Sequence, residues 1–405
     1  MINQDITPNV SSESGRLNAV ITHFPGHEIE KMTPFSIKDA LYSDILNLNI
    51  ASQEYSLFRK ALQAHTQVLE IRTLLAESLE NIEAKKEIIN EIKDLHQLDN
   101  KTVYVLQEMD SSQLATTIIE GYPIEAKENF LITPAYNLFF TRDIAIVHND
   151  FVLIPKMASK IRAKESIIAK IVFKYHPRIK VDASKVLDAN NYVGNLKFEG
   201  GDIHIFNKDI TLIGNGLRTN WEGINFIIKN TSKNKKHTYI VQALPTELES
   251  YIHLDMIFTV LSDKECMIYK PVFDNLKYNA FAIEAENGKI ISKIETPNLL
   301  TALKEKGFDL TLIYCGNDDP LHAPREQWHS GANFFAVDNG KILGYNRNSN
   351  TLKALAAHGY EIINAEDIDN YNLNSIEKYV IAFPGNELAR GSGGARCMTS
   401  PLNRI

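Results

Sequence analysis

The sequence predicts an α/β fold assembled from repeated units. Paired short apolar strands recur on one plan, amphipathic stretches separate them, and one long segment of purely helical period interrupts the series. A single unit of this kind cannot bury both of its faces, so the units should close on one another, as in a ring.

The first element is the strand RLNAVITHFPG at 16–26, which belongs to a fifth unit completed by segments from elsewhere in the chain. Residues 72–128 come next. RTLLAESLENIEAKKEIINEIKDLHQLDN and SSQLATTIIEGY place Leu and Ile at helical spacing with no hairpin signal, so they read as a helical insertion with a solvated charged face. The repeat core then covers 1–71 and 129–405.

Four stretches carry the repeat itself: FFTRDIAIVHNDFVLIPKM (139–157), FEGGDIHIFNKDITLIGNG (198–216), HLDMIFTVLSDKECMIYKP (253–271) and GANFFAVDNGKILGYNR (331–347). Each has a polar or glycine-containing entry, an apolar strand, a turn (HND, NKD, LSDK, DNGK) and a second strand, which is a β-hairpin signal. Between them, SKIRAKESIIAKIVFKY (159–175) has helical spacing, and LPTELESYI (244–252) starts like a helix.

Composition excludes several classes. The chain has 405 residues, 44% hydrophobic and 23% charged, with a net charge of −7. An acidic protein of this kind does not bind nucleic acid through bulk charge. No apolar run is long enough to span a bilayer, and MINQDITPNVSSESGR lacks the features of a signal peptide. Three cysteines, Cys266, Cys315 and Cys397, argue against a disulfide framework and for a reducing, cytoplasmic setting. Neither CxxC nor HExxH occurs, so no metal site is expected.

The hairpin entries carry the chemistry. The first offers Asp143, the second Glu199 and Asp202, the third His253 and Asp255. In a closed ring these positions converge, and gathered carboxylates call for a cation. Taken singly, each has a plainer reading. Asp before a strand often bonds its own backbone, EGGD can be a glycine bulge, and a lone cysteine is usually a small buried apolar residue. GSGGARCMTSPL at 391–402 adds Cys397 behind Gly391, Gly393 and Gly394, which would let the backbone bend closely over a ligand. A thiolate with a histidine is a nucleophile with its acid–base partner, and Arg396 would help lower the thiol pKa. Carboxylates oppose thiol ionisation, so their presence points to a cationic substrate. A guanidinium, planar and permanently charged, fits best.

SGRLNAVITHFPG, NLFFTRD, FEGGD, HLDMIFT, REQWHSGAN and NELARGSGGARCMTSPL, in this order and spread almost end to end, resemble the arginine deiminases of the guanidino-group-modifying superfamily. The resemblance implies a five-bladed pseudo-symmetric α/β propeller of ββαβ repeats with a helical insertion. It implies hydrolysis of free L-arginine to L-citrulline and ammonia without a cofactor, by a homo-oligomer. Carried over by motif, Cys397 attacks the guanidinium carbon. His253 protonates the departing ammonia and then deprotonates the attacking water. Asp143 and Asp255 grip the guanidinium nitrogens, and Glu199 binds the guanidinium and orients His253. Arg162 and Arg218 fall on positions for the substrate carboxylate, with Asn137, Phe140 and Gly391 lining the pocket. Asp202 is read as structural. The last loop departs from the family form, close to GRGGPRCMSMP, in having Ser392 for an arginine and Ala395 for a proline, which puts substrate affinity and preference in question more than reaction type. A deiminase of another guanidine, such as agmatine or a modified arginine, is the nearest alternative. A non-catalytic arginine-binding protein would most simply have lost Cys397 or His253. An amidinotransferase also belongs to the superfamily, but the motifs follow the hydrolase form.

Overall fold

The computed structural model describes residues 4–34, 36–37, 40–123, 130–247, 249–275 and 277–405. Strands β1 (Asn9–Val10), β2 (Leu17–Thr22) and β3 (Gln67–Glu70) open the first sheet, with helix α1 (Leu48–Gln63) between β2 and β3. β2 and β3 run parallel, as a helical crossover requires.

Four helices follow: α2 (Ile71–Ser78), α3 (Ile82–His96), α4 (Asn100–Glu108) and α5 (Ser111–Glu120). Their boundaries are written in cap chemistry. Asn81 accepts from the Glu83 and Ala84 N–H groups, Asp99 from Thr102, and Asp110 forms a capping box with Gln113. Their apolar faces, including Ile88, Ile92, Leu114 and Ile118, join one core with the neighbouring sheets. Residues 124–128, the end of the expected insertion, lie outside the described residues.

The hairpins expected in the middle of the chain form as antiparallel pairs. β4 (Ile146–His148) and β5 (Phe151–Ile154) lead into α6 (Ala163–Tyr175) and then β6 (Val186–Asp188), parallel to β5. β7 (Ile203–Asn207) and β8 (Ile210–Asn215) lead into α7 (Trp221–Thr231) and β9 (His237–Ala243), parallel to β8. β10 (Phe258–Val260) and β11 (Glu265–Ile268) are followed by a hairpin, β12 (Ala280–Glu286) and β13 (Lys289–Thr296), that extends the previous sheet. Helix α8 (Leu299–Glu305) then returns the chain to β14 (Thr311–Tyr314), parallel to β11. β15 (Phe335–Asp338) and β16 (Lys341–Tyr345) lead through α9 (Ser349–Ala357) to β17 (Glu361–Asn364) and β18 (Tyr379–Phe383), and β18 runs parallel to β16. The final strand β19 (Ser400–Arg404) returns to the first sheet between β1 and β2, antiparallel to β2.

The result is an α/β structure of mixed sheets, none closed on itself among the described residues. The fifth unit is completed by β19, so the chain's two ends share one sheet. One local expectation needs correction. Among the described residues of 244–252 there is only a 3-10 turn at Glu249–Tyr251, because the short connection from β9 to His253 does not repay the cost of helix nucleation. Among the described residues, no helix is long and apolar enough to cross a membrane.

Candidate active site

Every unit delivers a polar side chain from the same place, the single turn that enters its first strand. These turns close by backbone bonds three residues apart: Asp143 N–H to Phe140 O, Asp202 to Glu199, Met256 to His253, Asn333 to Ser330 and Thr399 to Arg396. The strands β4, β7, β10, β15 and β19 start directly after them. The expected Asp143, Glu199, His253, Asp255 and Cys397 all lie in these turns, at different positions within them, and the structure adds Asn333. All six are buried.

His253 lies between two of the carboxylates, with Nε2 2.9 Å from Glu199 Oε2 and 3.8 Å from Asp143 Oδ1. Burial opposes its charge, but Asp143, Glu199 and Asp202 outweigh it and raise its pKa to about 9. The imidazole is thus a cation, and a proton donor, at neutral pH. Glu199 is held well below the usual carboxylate range. Burial works against its charge, and Arg218, His253 and Arg162 overcome it. Asp202 serves the backbone. Its Oδ1 accepts the Leu254 N–H at 2.9 Å and fixes the turn that carries His253, and burial pushes its pKa to about 7.

Arg162 was expected to meet a carboxylate of the substrate, and the structure places it among carboxylates of the protein. Its Nη1 is 2.6 Å from Asp143 Oδ2 and 3.7 Å from Glu199 Oε2, and its Nε is 2.8 Å from Glu165 Oε2, while the buried Nη2 has no partner. Glu165 was missed in the sequence. It also accepts the Asn137 N–H at 3.2 Å and so ties Arg162 to the 136–140 turn. Arg218 sits at the edge of the same cluster, 3.5 Å from Glu199 Oε1, and lines a cavity of about 260 Å³ with Tyr42, Met256, Trp328 and Ser392. Asn137 commits its amide nitrogen to Ala40 O at 2.8 Å, which pins the segment beside that cavity.

Cys397 has its thiol within reach of Asn333 and Asp255: Nδ2 of Asn333 is 3.2 Å from Sγ, and Oδ2 of Asp255 is 3.7 Å. Oδ1 of Asn333 accepts the Arg396 and Cys397 N–H groups at 2.9 and 3.3 Å, so one amide both holds the loop and points a donor at sulfur. The sequence motif ending GAN contained this residue without assigning it a task. Arg396 acts on the thiol pKa in the expected, lowering sense but does not prevail. Burial, then Asp255 and Asp143, push it well above the ordinary value, and Arg396 only partly offsets them, because its guanidinium is spent on Asp255 and Glu13. A cation bound against these carboxylates would reverse that balance.

The glycines of the last loop act through space rather than backbone freedom. Among 391–394 it is Ser392, φ 66°, that adopts the left-handed region, while the three glycines do not. A Cβ on Gly393 would stand 2.3 Å from the Phe140 ring, and one on Gly394 2.7 Å from Asn333 Oδ1. Gly391 has the Phe139 and Phe140 rings 3.0 Å from its would-be Cβ. Phe140 thus packs beneath the cysteine loop.

Asp143, Glu199 and His253 also offer ligand atoms within 4.8 Å of one another, spacing that a metal could use. The guanidinium of Arg162 already bridges Asp143 and Glu199, and the cationic imidazole faces the same pair. The donor set is therefore matched to planar, nitrogen-based cations. A thiol, an imidazolium and three carboxylates thus meet in a site suited to a planar cation.

Comparison with known proteins agrees. Residues 89–404 match the family model for arginine deiminase. The arginine deiminase of Borrelia garinii subsp. bavariensis is 30% identical over 98% of this chain and 97% of its own, and that of Oenococcus oeni is 29% identical over 100% and 99%. The chain belongs to the arginine deiminase family. Among solved structures, a cysteine mutant of DDAH from Pseudomonas aeruginosa complexed with citrulline superposes with a TM-score of 0.52 at 16% identity, covering 96% of this chain and 100% of that one. Unliganded AgrE gives a TM-score of 0.54 at 13% identity over 96% of this chain, which spans 40% of AgrE. These likenesses concern the fold.

Proposed function

We propose that the protein hydrolyses free L-arginine to L-citrulline and ammonia through a covalent intermediate on Cys397. The observation that carries the reading is the meeting of the Cys397 thiol, the His253 imidazolium and the carboxylates of Asp143, Glu199 and Asp255 at equivalent strand entries. The bound guanidinium is held by Asp143, Glu199 and Asp255, and its charge favours the Cys397 thiolate. Sulfur adds to the guanidinium carbon. His253 gives its proton to one nitrogen, the C–N bond breaks, and ammonia leaves behind an amidino-thioether. Neutral His253 then takes a proton from water as its oxygen adds to the same carbon. The C–S bond breaks, citrulline is released, the second water proton passes to solvent, where it converts the ammonia already released to ammonium, and the thiolate and imidazolium are restored. No cofactor enters this balance.

Arg218, at the edge of the cavity, and Arg162, once exchanged off Asp143, are the proposed partners of the substrate carboxylate, with Asn137, Phe140 and Gly391 shaping the wall. The five sheets that hold β1–β19 are proposed as blades of a propeller, with 72–128 inserted into a core of 1–71 and 129–405. The repeated order of hairpin, helix and parallel strand supports that arrangement. A cytoplasmic homo-oligomer is proposed, and the three free, buried cysteines suit a reducing compartment.

The test is to incubate purified protein with L-arginine, and separately with agmatine, and to assay citrulline, carbamoylputrescine and ammonia. Equal citrulline and ammonia from arginine, with agmatine turned over more slowly, is the expected outcome. Faster turnover of agmatine, or none of either substrate, overturns the reading.

A further inference from the structure

Beneath the site lies a buried ion cluster whose far end is contributed by the N-terminal segment. The Arg396 guanidinium (side chain 1% exposed) stands between two carboxylates. Its Nη1 is 2.9 Å from Asp255 Oδ2, and on its other side Nε and Nη2 each lie 3.1 Å from the two oxygens of Glu13. Nη2 also donates to Ile203 O at 2.8 Å, which locks the plane of the fork. Glu13 is fixed in turn by the Ile205 N–H at 3.2 Å. Asp255 keeps a buried Oδ1 with no partner while its Oδ2 lies 3.7 Å from the Cys397 thiol.

From this geometry we infer that Glu13 is a positioning residue for Asp255, acting through Arg396: by occupying one side of the Arg396 fork it leaves Asp255 with net negative charge to spend on the substrate cation. The inference rests on the proposed arginine chemistry and adds to it. Shared between two carboxylates, Arg396 cancels only part of the charge on each. The surrounding charges sharpen the point. Arg142 donates from Nε to Arg396 O at 3.3 Å, and Arg404 donates from Nη1 to Glu13 O at 2.6 Å, so further guanidiniums crowd the Glu13 side. His204, buried beside them, is held neutral, first by burial and then by Arg396. With a neutral residue at 13, these cations would find their nearest buried compensation in Asp255, and Asp255 would be neutralised from below.

The experiment compares a cationic ligand with a neutral one of almost the same shape. Wild type, Glu13→Gln and the double variant Glu13→Gln/Arg396→Gln are assayed for arginine KM and for competitive inhibition by citrulline. Glu13→Gln is expected to raise the arginine KM about tenfold or more, the size of one lost charge-assisted contact, while citrulline inhibition changes less than about twofold. A merely structural role would move both constants together. Removing Arg396 as well should restore the preference for arginine over citrulline, because the guanidinium bonded directly to Asp255 is then gone. The double variant also serves if Glu13→Gln does not fold. Parallel loss of arginine and citrulline binding in the single variant, or a collapsed preference in the double variant, overturns the inference. Wild-type protein that makes no citrulline overturns the arginine reading itself, an outcome distinct from either.

Discussion

Nη1 of Arg162 lies 2.6 Å from Oδ2 of Asp143. A guanidinium of the protein thus holds the carboxylate assigned to the substrate guanidinium, and a substrate gripped by Asp143 must take over that oxygen. The displaced Arg162 keeps Glu165 at 2.8 Å as an anchor and has its unpartnered Nη2 available for an incoming carboxylate. Arg162→Gln is therefore expected to raise the KM for arginine about tenfold or more, and that for agmatine, which has no carboxylate, far less. Steady-state kinetics on both substrates checks it. Equal effects would remove Arg162 from carboxylate recognition.

Arg218 should behave similarly without the exchange step, because it reaches the cavity from its edge. Arg218→Ala is expected to weaken arginine selectively, again by about tenfold, with kcat changed less than KM. A fall in kcat alone would assign it to Glu199 instead, whose Oε1 it faces at 3.5 Å.

Asn333 points a donor at the nucleophile. Replacing it by Ala removes a hydrogen bond to a charged sulfur, worth about 1.5–3 kcal/mol, so kcat should fall by about 10- to 100-fold. The rate of Cys397 alkylation by iodoacetamide should fall in parallel, because the thiolate loses its donor. Unchanged alkylation with reduced kcat would mean that Asn333 serves the loop and not the sulfur.

The pH dependence follows from His253. Its pKa is raised from 6.5 to about 9 in the folded protein. A raised histidine adds stability that is complete below its unfolded value and is lost as pH rises through the folded one. Both the proton donor and this stability should therefore decline as pH approaches and passes about 9. Glu199→Gln removes a main support of the imidazolium and should move the alkaline limb of kcat to lower pH. A limb that stays in place would show that Glu199 does not set the charge of His253.

Ser392 sits at φ 66°, a conformation that costs a non-glycine residue about 1–2 kcal/mol. Ser392→Gly should stabilise the fold by up to about that amount in a denaturant titration, less the gain in unfolded-chain entropy that glycine brings. A destabilised variant would mean that the serine side chain contributes more than its backbone costs.

The period-two strands, their turns and the helical period of 72–120 were legible in the chain because each is encoded locally by apolar spacing and cap residues such as Asn81 and Asp110. The candidate acids stood out because they gather at the strand entries of a repeated pattern, although Asp143, Glu199 and Asp255 occupy different positions of their turns. Glu13 and Asn333 were not legible, because their partners are far away in sequence: Glu13 meets Arg396, and Asn333 meets Cys397. Glu165 lies only three residues from its partner Arg162, and that spacing fits many surface ion pairs equally well. The glycine loop misled for a different reason. Glycine in sequence suggests conformational freedom, but here it marks the close approach of Phe140 and Asn333, and the unusual backbone falls on Ser392. Arg162 was found, but its ion pair with Asp143 depends on how α6 docks, which spacing alone does not encode.

The covalent role of Cys397 can be read from the protein itself. Enzyme turning over L-arginine is quenched in acid within the first cycles and its intact mass and peptides are measured. The expected result is a fraction of chains carrying, on Cys397 alone, arginine less one ammonia, absent from Cys397→Ala, which binds arginine and makes no citrulline. Sustained citrulline production by Cys397→Ala, or an adduct mapped to Cys266 or Cys315, would contradict the mechanism.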